Sequence, residues 1–341
     1  MKDARSPLRA PLGWSLAWTA LGPVRHHVLA LVGDIAAHRG HPVLSDERLL
    51  AIEGIVSGST PGPPEVLVVE DPDGRCGFAL VSTAVRTETG PVATVELLVP
   101  AGHGPTINQP VATAEPGAEQ NLDDPNGADG MEGVLLSACV ERFQKTHHLQ
   151  WWVYGADDVS DRVAQRLGFR LERELLQLRC PLPRPMAGPG SLPWRSFVVN
   201  QDEPAWLVAN NRAFAGHPDQ GSWTRADLLA RQGLEWFSPE GFLILEEEGR
   251  IIGSCWTKLH EGVNGTLGEI YVISVDPDAQ GRGLGKALTE AGLDHLTEAG
   301  ATEGMLYVDA TNMAALATYR SIGFTTHHVD RMYASPPPRS T

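Results

Sequence analysis

The chain has 341 residues, 42% of them hydrophobic, which is enough for two domains that each bury a core. A formal net charge of −15 and the lack of any basic stripe exclude a nonspecific nucleic-acid binder. No apolar run approaches a membrane span, and the N-terminus lacks a signal-peptide core. The cysteines (Cys76, Cys139, Cys180, Cys255) are scattered without a Cys-x-x-Cys pair, which argues against a disulfide frame and against a metal site. The chain therefore reads as a cytoplasmic protein with buried thiols. Lysine is rare while arginine and alanine are common, the bias of a GC-rich bacterial genome.

In chain order, Leu44-Ser45-Asp46-Glu47-Arg48-Leu49 opens a helix, where Ser or Asp serves as N-cap. Glu65 to Val69 and Gly77 to Val85, around Asp71-Pro72-Asp73-Gly74, predict a hairpin with a tight turn. A strand from Thr94 to Val99 runs into Pro100-Ala101-Gly102-His103-Gly104-Pro105 and a Gly/Pro/acid-rich insert lasting to about Glu132. Trp151 to Tyr154 is an apolar strand, followed by Val163-Ala164-Gln165-Arg166-Leu167-Gly168-Phe169, and Pro181 to Pro193 is the natural linker. Then the order repeats. Gly241 to Leu245 and Ile251 to Thr257 form a second hairpin, and Gly268 to Val275 is a nearly all-apolar strand, as expected in a sheet interior. Met305 to Val308 is the next strand, and a helix with Met313, Leu316, Ala317 and Arg320 at helical spacing ends at Gly323, which suits a C-cap. Its last segment, Thr318 to Phe324, aligns with Val163 to Phe169.

Between the last two strands lies the most informative segment, Gln280-Gly281-Arg282-Gly283-Leu284-Gly285-Lys286, a Gly/Arg loop that opens directly into a helix. Glycine lets the backbone approach a ligand closely, and free N–H groups at a helix N-terminus face a bound anion. This is a pyrophosphate cradle. It is not a P-loop, because Ala287 follows Gly285-Lys286 where a Ser or Thr is needed, and the spacing of Gly281, Gly283 and Gly285 does not fit a dinucleotide fingerprint.

The loop matches the Gln-x-x-Gly-x-Gly/Ala pattern of the GNAT acetyltransferases, and the order strand, Asn312, Ala-rich helix, Tyr319-x-x-x-Gly323-Phe324 also resembles their C-terminal half. The resemblance implies an α/β fold of two tandem GNAT-like acyl-CoA N-acyltransferase domains, each a mixed, mostly antiparallel sheet flanked by helices. It places a first domain at 10–180 with an insert near 100–132, a linker at 181–193 and a catalytic domain at 194–335. It implies acetyl-CoA as co-substrate and no metal. The cofactor would be held by Ile273, Ser274, Val275, Gln280, Gly281, Arg282, Gly283, Leu284, Gly285 and Lys286, with Asn312, Ala314 and Ala315.

The two copies are not equivalent. The loop after Val99 has neither the glycine pattern nor a nearby arginine, and Ala164 stands where the second copy has Tyr319. The first domain is expected to be catalytically silent, a scaffold or one wall of a substrate cleft. The alternative is that the insert is a disordered surface loop on a domain that still binds cofactor.

In the second copy Glu269 is well placed to take a proton from an amine, directly or through water, although a surface Glu at a strand edge has the same sequence signature. In GNAT enzymes the amine attacks the thioester directly, and Tyr319 would hydrogen-bond the departing thiolate. With a thiol near ~8.5 and a tyrosine near ~10, full proton transfer from Tyr319 is uphill by roughly 2 kcal/mol, so a hydrogen bond is the safer role. A half-buried core aromatic is the plain reading of the same residue.

Asn211 to Thr224, Glu235 to Phe242, Trp256-Thr257-Lys258 and Gly268 to Val272 together resemble the mycothiol synthase family, closely over Arg195 to Tyr333 and more thinly before. That resemblance implies a monomer acting on a small molecule, the cysteinyl amine of Cys-GlcN-Ins, with acceptor contacts from Asp46, Asp219, Lys258, Glu269 and Tyr307. Asp46 has an alternative reading as a helix cap, and Lys258 as a solvated strand end. The family usually keeps a recognisable loop in its first domain, which this chain lacks. A GNAT enzyme acting on another small amine or a protein N-terminus, and a non-catalytic acyl-CoA-binding module, remain the other readings.

Overall fold

The computed structural model describes residues 13–39, 43–54, 63–86, 90–100, 130–183, 192–217, 221–262 and 265–338. The chain divides into two compact units, the first centred on Pro61–Arg173 and the second on Glu174–Val329.

In the first unit, β1 (Ser15–Ala20) is followed by α1 (Leu21–Arg39), α2 (Asp46–Glu53), β2 (Glu65–Glu70), β3 (Cys76–Arg86) and β4 (Gly90–Leu98). Then come α3 (Gly130–Phe143), β5 (His148–Val153) and α4 (Asp158–Arg166). Strands β1 to β4 are antiparallel neighbours in chain order, and β4 pairs with β5 in parallel. Strand alternation sends Ala79 and Val81 to a core with Met131, Leu135 and Cys139 of α3, while Phe78 and Leu80 meet Val24, Val28 and Leu31 of α1. The predicted turn forms around Asp71, whose Oδ1 accepts from the N–H groups of Asp73 and Arg75. Residues 101–129 of the expected insert lie outside the described residues.

The second unit continues from β6 (Arg170–Pro181) through β7 (Trp194–Ser196), α5 (Glu203–Ala213), α6 (Arg225–Gln232) and β8 (Phe242–Glu247). It goes on through β9 (Arg250–Gly262), β10 (Gly265–Val275), α7 (Leu284–Glu298), β11 (Glu303–Asp309) and α8 (Met313–Ile322) to β12 (Thr325–Ala334). Strands β7, β8, β9 and β10 are antiparallel neighbours, β10 and β11 are parallel, and β11 pairs antiparallel with β6. One face carries Trp206, Trp223 and Leu228 of the α5–α6 region against Phe242, Trp256 and Val272. The other carries Leu288, Leu293, Leu316, Tyr319 and Ile322 of α7 and α8 against Cys255, Ile270, Leu306 and Val308. Each unit is a mixed, mostly antiparallel sheet with helices on its faces, the expected α/β architecture.

The division between units falls at Arg173/Glu174 and Val329/Asp330, within β6 and β12, rather than in the Pro/Gly-rich segment after Pro181. The reason is strand pairing. Leu175 to Pro181 pair with β11 of the second unit, and Arg331 to Ala334 pair with β5 of the first. Each copy therefore contributes its closing strand to the other unit, which a linear reading of the repeat does not reveal. Residues 184–191 of the linker lie outside the described residues.

The repeat is visible bond for bond where α4 and α8 end. Gly168 and Gly323 adopt positive φ (76° and 106°), a conformation that favours glycine. The N–H of Phe169 donates to the carbonyl of Ala164 (2.9 Å), and that of Phe324 to the carbonyl of Tyr319 (3.1 Å). Ala164 and Tyr319 are thus equivalent positions.

Candidate active site

Strands β10 and β11 keep parallel register over three pairs, Leu267 with Glu303, Gly268 with Gly304 and Glu269 with Met305. Beyond Glu269 each strand follows its other neighbour, β10 with β9 as far as Val275 and β11 with β6 as far as Asp309. A β-bulge at Tyr271, between the Ile270–Thr257 and Val272–Trp256 pairs, bends β10 away from β11. The result is a wedge at the centre of the sheet.

Glu269 sits at the root of that wedge and is only 7% exposed, so it is not a surface residue at a strand edge. Its Oε2 is 2.6 Å from Nε2 of His260 on β9. Directly opposite Glu269 on β9 is Lys258, also buried, whose Nζ lies 4.8 Å from the Trp236 ring centre and 5.4 Å from that of Tyr271. This is a desolvated cation held against aromatic faces, not a solvated strand end. Tyr271 in turn accepts a hydrogen bond from Arg231 Nε at 2.9 Å. The register aligns Met305, and two residues on Tyr307, with the Glu269 face; Tyr307 accepts a 2.7 Å hydrogen bond from Gln177 Nε2. Gln177 is oriented by Arg179, whose Nε donates to its Oε1 at 2.8 Å. Lys258, Glu269 and Tyr307, three of the expected acceptor residues, are thus brought to one face.

The Gly/Arg loop follows immediately from β10. Gly281 and Gly283 both have φ of 76°, and Gly283 precedes the first turn of α7. A Cβ on Gly281, Gly283 or Gly285 would meet no protein atom within 4 Å, so the loop presents open backbone at a helix N-terminus. These features fit a pyrophosphate. The loop is anchored from beneath by Ala279 and Leu284, both buried. At its entry Asp276 accepts from the Asp278 N–H and pairs with Arg212 of α5 at 3.1 Å. Gln280 Nε2 reaches the Val275 carbonyl at 3.5 Å. Arg282 forms a two-pronged pair with Glu247 (2.8 and 2.9 Å), and Lys286 lies 4.0 Å from Glu290. Among the strand residues, Ser274 turns its hydroxyl onto Ser254 Oγ at 2.8 Å, in contact with Trp206, so its backbone is what remains for a ligand. At the other lip, Asn312 caps α8 by accepting from the Ala315 N–H at 3.1 Å, with Ala314 exposed beside it.

Tyr319 projects from α8 into the core on the opposite face from Glu269, edge-on to Phe324 at 5.9 Å. Burial pushes its hydroxyl up to about 12, with a smaller contribution from Cys255. It is a core aromatic and also the one tyrosine on the helix that follows the wedge's second lip.

The first unit handles the same region differently. Strands β4 and β5 stay paired through Glu96 and Trp152, and β4 runs against β3 without a register shift. Glu96, 3% exposed, is ion-paired with Arg48 of α2 and accepts from Tyr154 Oη at 2.9 Å, while Arg48 also donates to Ser82. A closed polar network occupies this position. Asp46 is the first residue of α2, partly exposed, and the cap is Ser45, whose side chain accepts from the Arg48 N–H. Asp219 lies outside the described residues.

His260, Gln177, Trp236 and Arg212 were not anticipated from sequence. The signal for His260 is in the sequence: continuing the strand that begins at Ile251 past Thr257 and pairing it with the Gly268–Val275 strand makes His260 the diagonal cross-strand neighbour of Glu269. Gln177 has no comparable signal, because a linear reading of the repeat places β6 in the first domain, whereas it pairs with β11 of the second unit.

Residues 205–324 match the acetyltransferase (GNAT) family. The chain is 45% identical over 311 residues to a mycothiol acetyltransferase of Streptomyces coelicolor, covering 90% of each chain. It is 38% identical over 324 residues to one of Kocuria rhizophila, covering 92% of this chain and 96% of that one. Among solved structures, a tandem GNAT protein from the clavulanic acid biosynthesis pathway has the same fold, with a TM-score of 0.64 at 15% identity over 96% of this chain and 100% of that one. A GCN5-related N-acetyltransferase from Sphaerobacter thermophilus is similar, with a TM-score of 0.59 at 20% identity over 94% and 96%. With the wedge, the open Gly/Arg loop and these relatives together, the chain belongs to the mycothiol acetyltransferase family and is an acetyl-CoA-dependent N-acetyltransferase of the GNAT type.

Proposed function

We propose that the second unit transfers the acetyl group of acetyl-CoA to the cysteinyl amine of Cys-GlcN-Ins, the last step in making mycothiol, with Glu269 as base. The observation that carries this reading is the position of buried Glu269 at the root of the β10–β11 wedge, on the strand that leads into the open Gly/Arg loop. The N–H groups from Gly281 to Lys286 and the α7 dipole face the pyrophosphate. Arg282 exchanges exposed Glu247 for phosphate, at small cost because exposed ion pairs contribute about 0–1 kcal/mol. The backbone of Ile273, Ser274 and Val275 orients the pantetheine arm at one lip of the wedge, and Asn312, Ala314 and Ala315 begin the helix beyond the other.

An α-amine with a pKa near ~8 is partly neutral at neutral pH, so Glu269 needs only to remove one proton as the carbon–nitrogen bond forms. Tyr319 donates a hydrogen bond to the departing sulfur. With its hydroxyl at about 12 and a thiol near ~8.5, outright proton transfer is uphill by roughly 5 kcal/mol, so Tyr319 stabilises the thiolate without protonating it. Lys258 and Tyr307 supply polar contacts to the sugar–inositol portion on the Glu269 face, and the roles of Asp46 and Asp219 rest on the family resemblance alone. The acceptor is one small molecule, and the enzyme acts as a monomer in the cytoplasm.

The experiment is a thiol-metabolite profile of a strain lacking the gene. The expected result is accumulation of Cys-GlcN-Ins with loss of mycothiol; an unchanged mycothiol pool would refute the assignment.

A further inference from the structure

Glu269 is a buried carboxylate, its side chain 10% exposed. A base in that position has to lose the proton it has gained before each new turnover, and it has little water of its own to receive it. Its cross-strand neighbour Lys258 is an ammonium group packed on Trp236 and Tyr271, with donors and no acceptor. His260 is different. Its Nε2 lies 2.6 Å from Glu269 Oε2, and its side chain, 23% exposed, reaches from the carboxylate toward solvent. The contact is built into the hairpin, because Lys258 pairs with Glu269 and His260 with Leu267, which puts His260 on the same face one row away.

We propose that His260 is the positioning and proton-relay residue of Glu269, a role that rests on reading Glu269 as the base. As the amine attacks, the carbon–nitrogen bond forms, the carbon–sulfur bond breaks, and the N–H proton passes to the Glu269 carboxylate. The resulting O–H donates to His260 Nε2, and the proton moves onto the ring. The imidazolium releases a proton from Nδ1 to water, restoring ionised Glu269, and the neutral ring regains its Nδ1–H tautomer by proton exchange with water before the next turnover. The departing thiolate takes a proton from solvent. No electrons are exchanged, and the proton count closes over one turnover.

The test uses the full chain with acetyl-CoA and Cys-GlcN-Ins, comparing wild type with His260→Ala, His260→Asn and Glu269→Gln, with and without added imidazole. Both His260 variants should lose at least about tenfold in kcat, a conservative share of what proton transfer contributes, with KM for acetyl-CoA unchanged. Imidazole should restore part of kcat to His260→Ala, which leaves room for it, and do nothing for His260→Asn or Glu269→Gln. Full kcat in either folded His260 variant, or a loss in His260→Ala that imidazole does not lift, overturns the relay. Full kcat in Glu269→Gln instead removes the base itself, so the two failures are distinguishable. If His260→Ala does not fold, the kcat and KM of His260→Asn decide the question.

Discussion

Glu269 and Met305 are the last pair at which β10 and β11 run in register. The parts of the second unit proposed for the reaction are arranged around that point: the Glu269 carboxylate on one face, Tyr319 on the other, and the Gly/Arg loop at the end of the strand that bends away.

Replacing Glu269 by Gln should lower kcat/KM by about 100-fold or more while leaving the affinity for acetyl-CoA unchanged. Calorimetric titration of the variant with acetyl-CoA, beside steady-state kinetics, checks both halves. Weakened cofactor binding with normal kcat would place Glu269 in the wrong role.

Gly281 and Gly283, at φ of 76°, should each resist substitution although their Cβ positions are open. Gly283→Val should cost roughly 1–2 kcal/mol from the left-handed backbone and turn a branched side chain toward the proposed pyrophosphate site. The expected kinetic signature is a raised KM for acetyl-CoA with little change in KM for the acceptor.

The buried tyrosines predict alkaline lability. Burial raises Tyr319 to about 12 and lifts Tyr154 well above its usual value, where Glu96 adds to the effect. An unfolded tyrosine loses its proton near ~10, so above that pH the folded state holds more protons than the unfolded one. The stabilisation is complete below about pH 10 and is lost as pH rises through the folded values, at up to about 1.4 kcal/mol per pH unit for each group. Denaturant unfolding from about pH 9 to pH 11 measures it; a flat stability profile would contradict it. Tyr319→Phe should remove part of the slope and lower kcat.

In the first unit, Arg48→Ala would leave Glu96 buried without its cation. The expected loss is about 3–5 kcal/mol of stability, read as a lowered Tm of that unit. In the protein that remains folded, KM for acetyl-CoA should be unchanged, because the Gly/Arg loop proposed to hold the cofactor belongs to the second unit.

The second half of the fold was legible because its signals are local. The loop from Gln280 to Lys286, the capped helix after Asn312 and the Gly323-Phe324 stop each depend on neighbours in sequence. The equivalence of Ala164 and Tyr319, read from the alignment of two short segments, reappears as the same helix-ending hydrogen bond. Less legible was anything set by distant pairing. The exchange of closing strands hinges on whether Leu175 to Pro181 or Thr325 to Ala334 lies beside a given partner, and both are β-formers of similar length. The bulge at Tyr271 leaves no sequence mark, yet it opens the wedge. Lys258 shows the same limit: nothing in the sequence distinguishes a solvated lysine from one buried against Trp236.

The most direct measurement is the specificity constant of the purified protein for acetyl transfer from acetyl-CoA to Cys-GlcN-Ins, set against polyamine, aminoglycoside and N-terminal peptide amines under the same conditions. Efficient acetylation of the cysteinyl amine is expected, with none of comparable efficiency on the other amines. Rapid acetylation of another amine, with no turnover of Cys-GlcN-Ins, would contradict it.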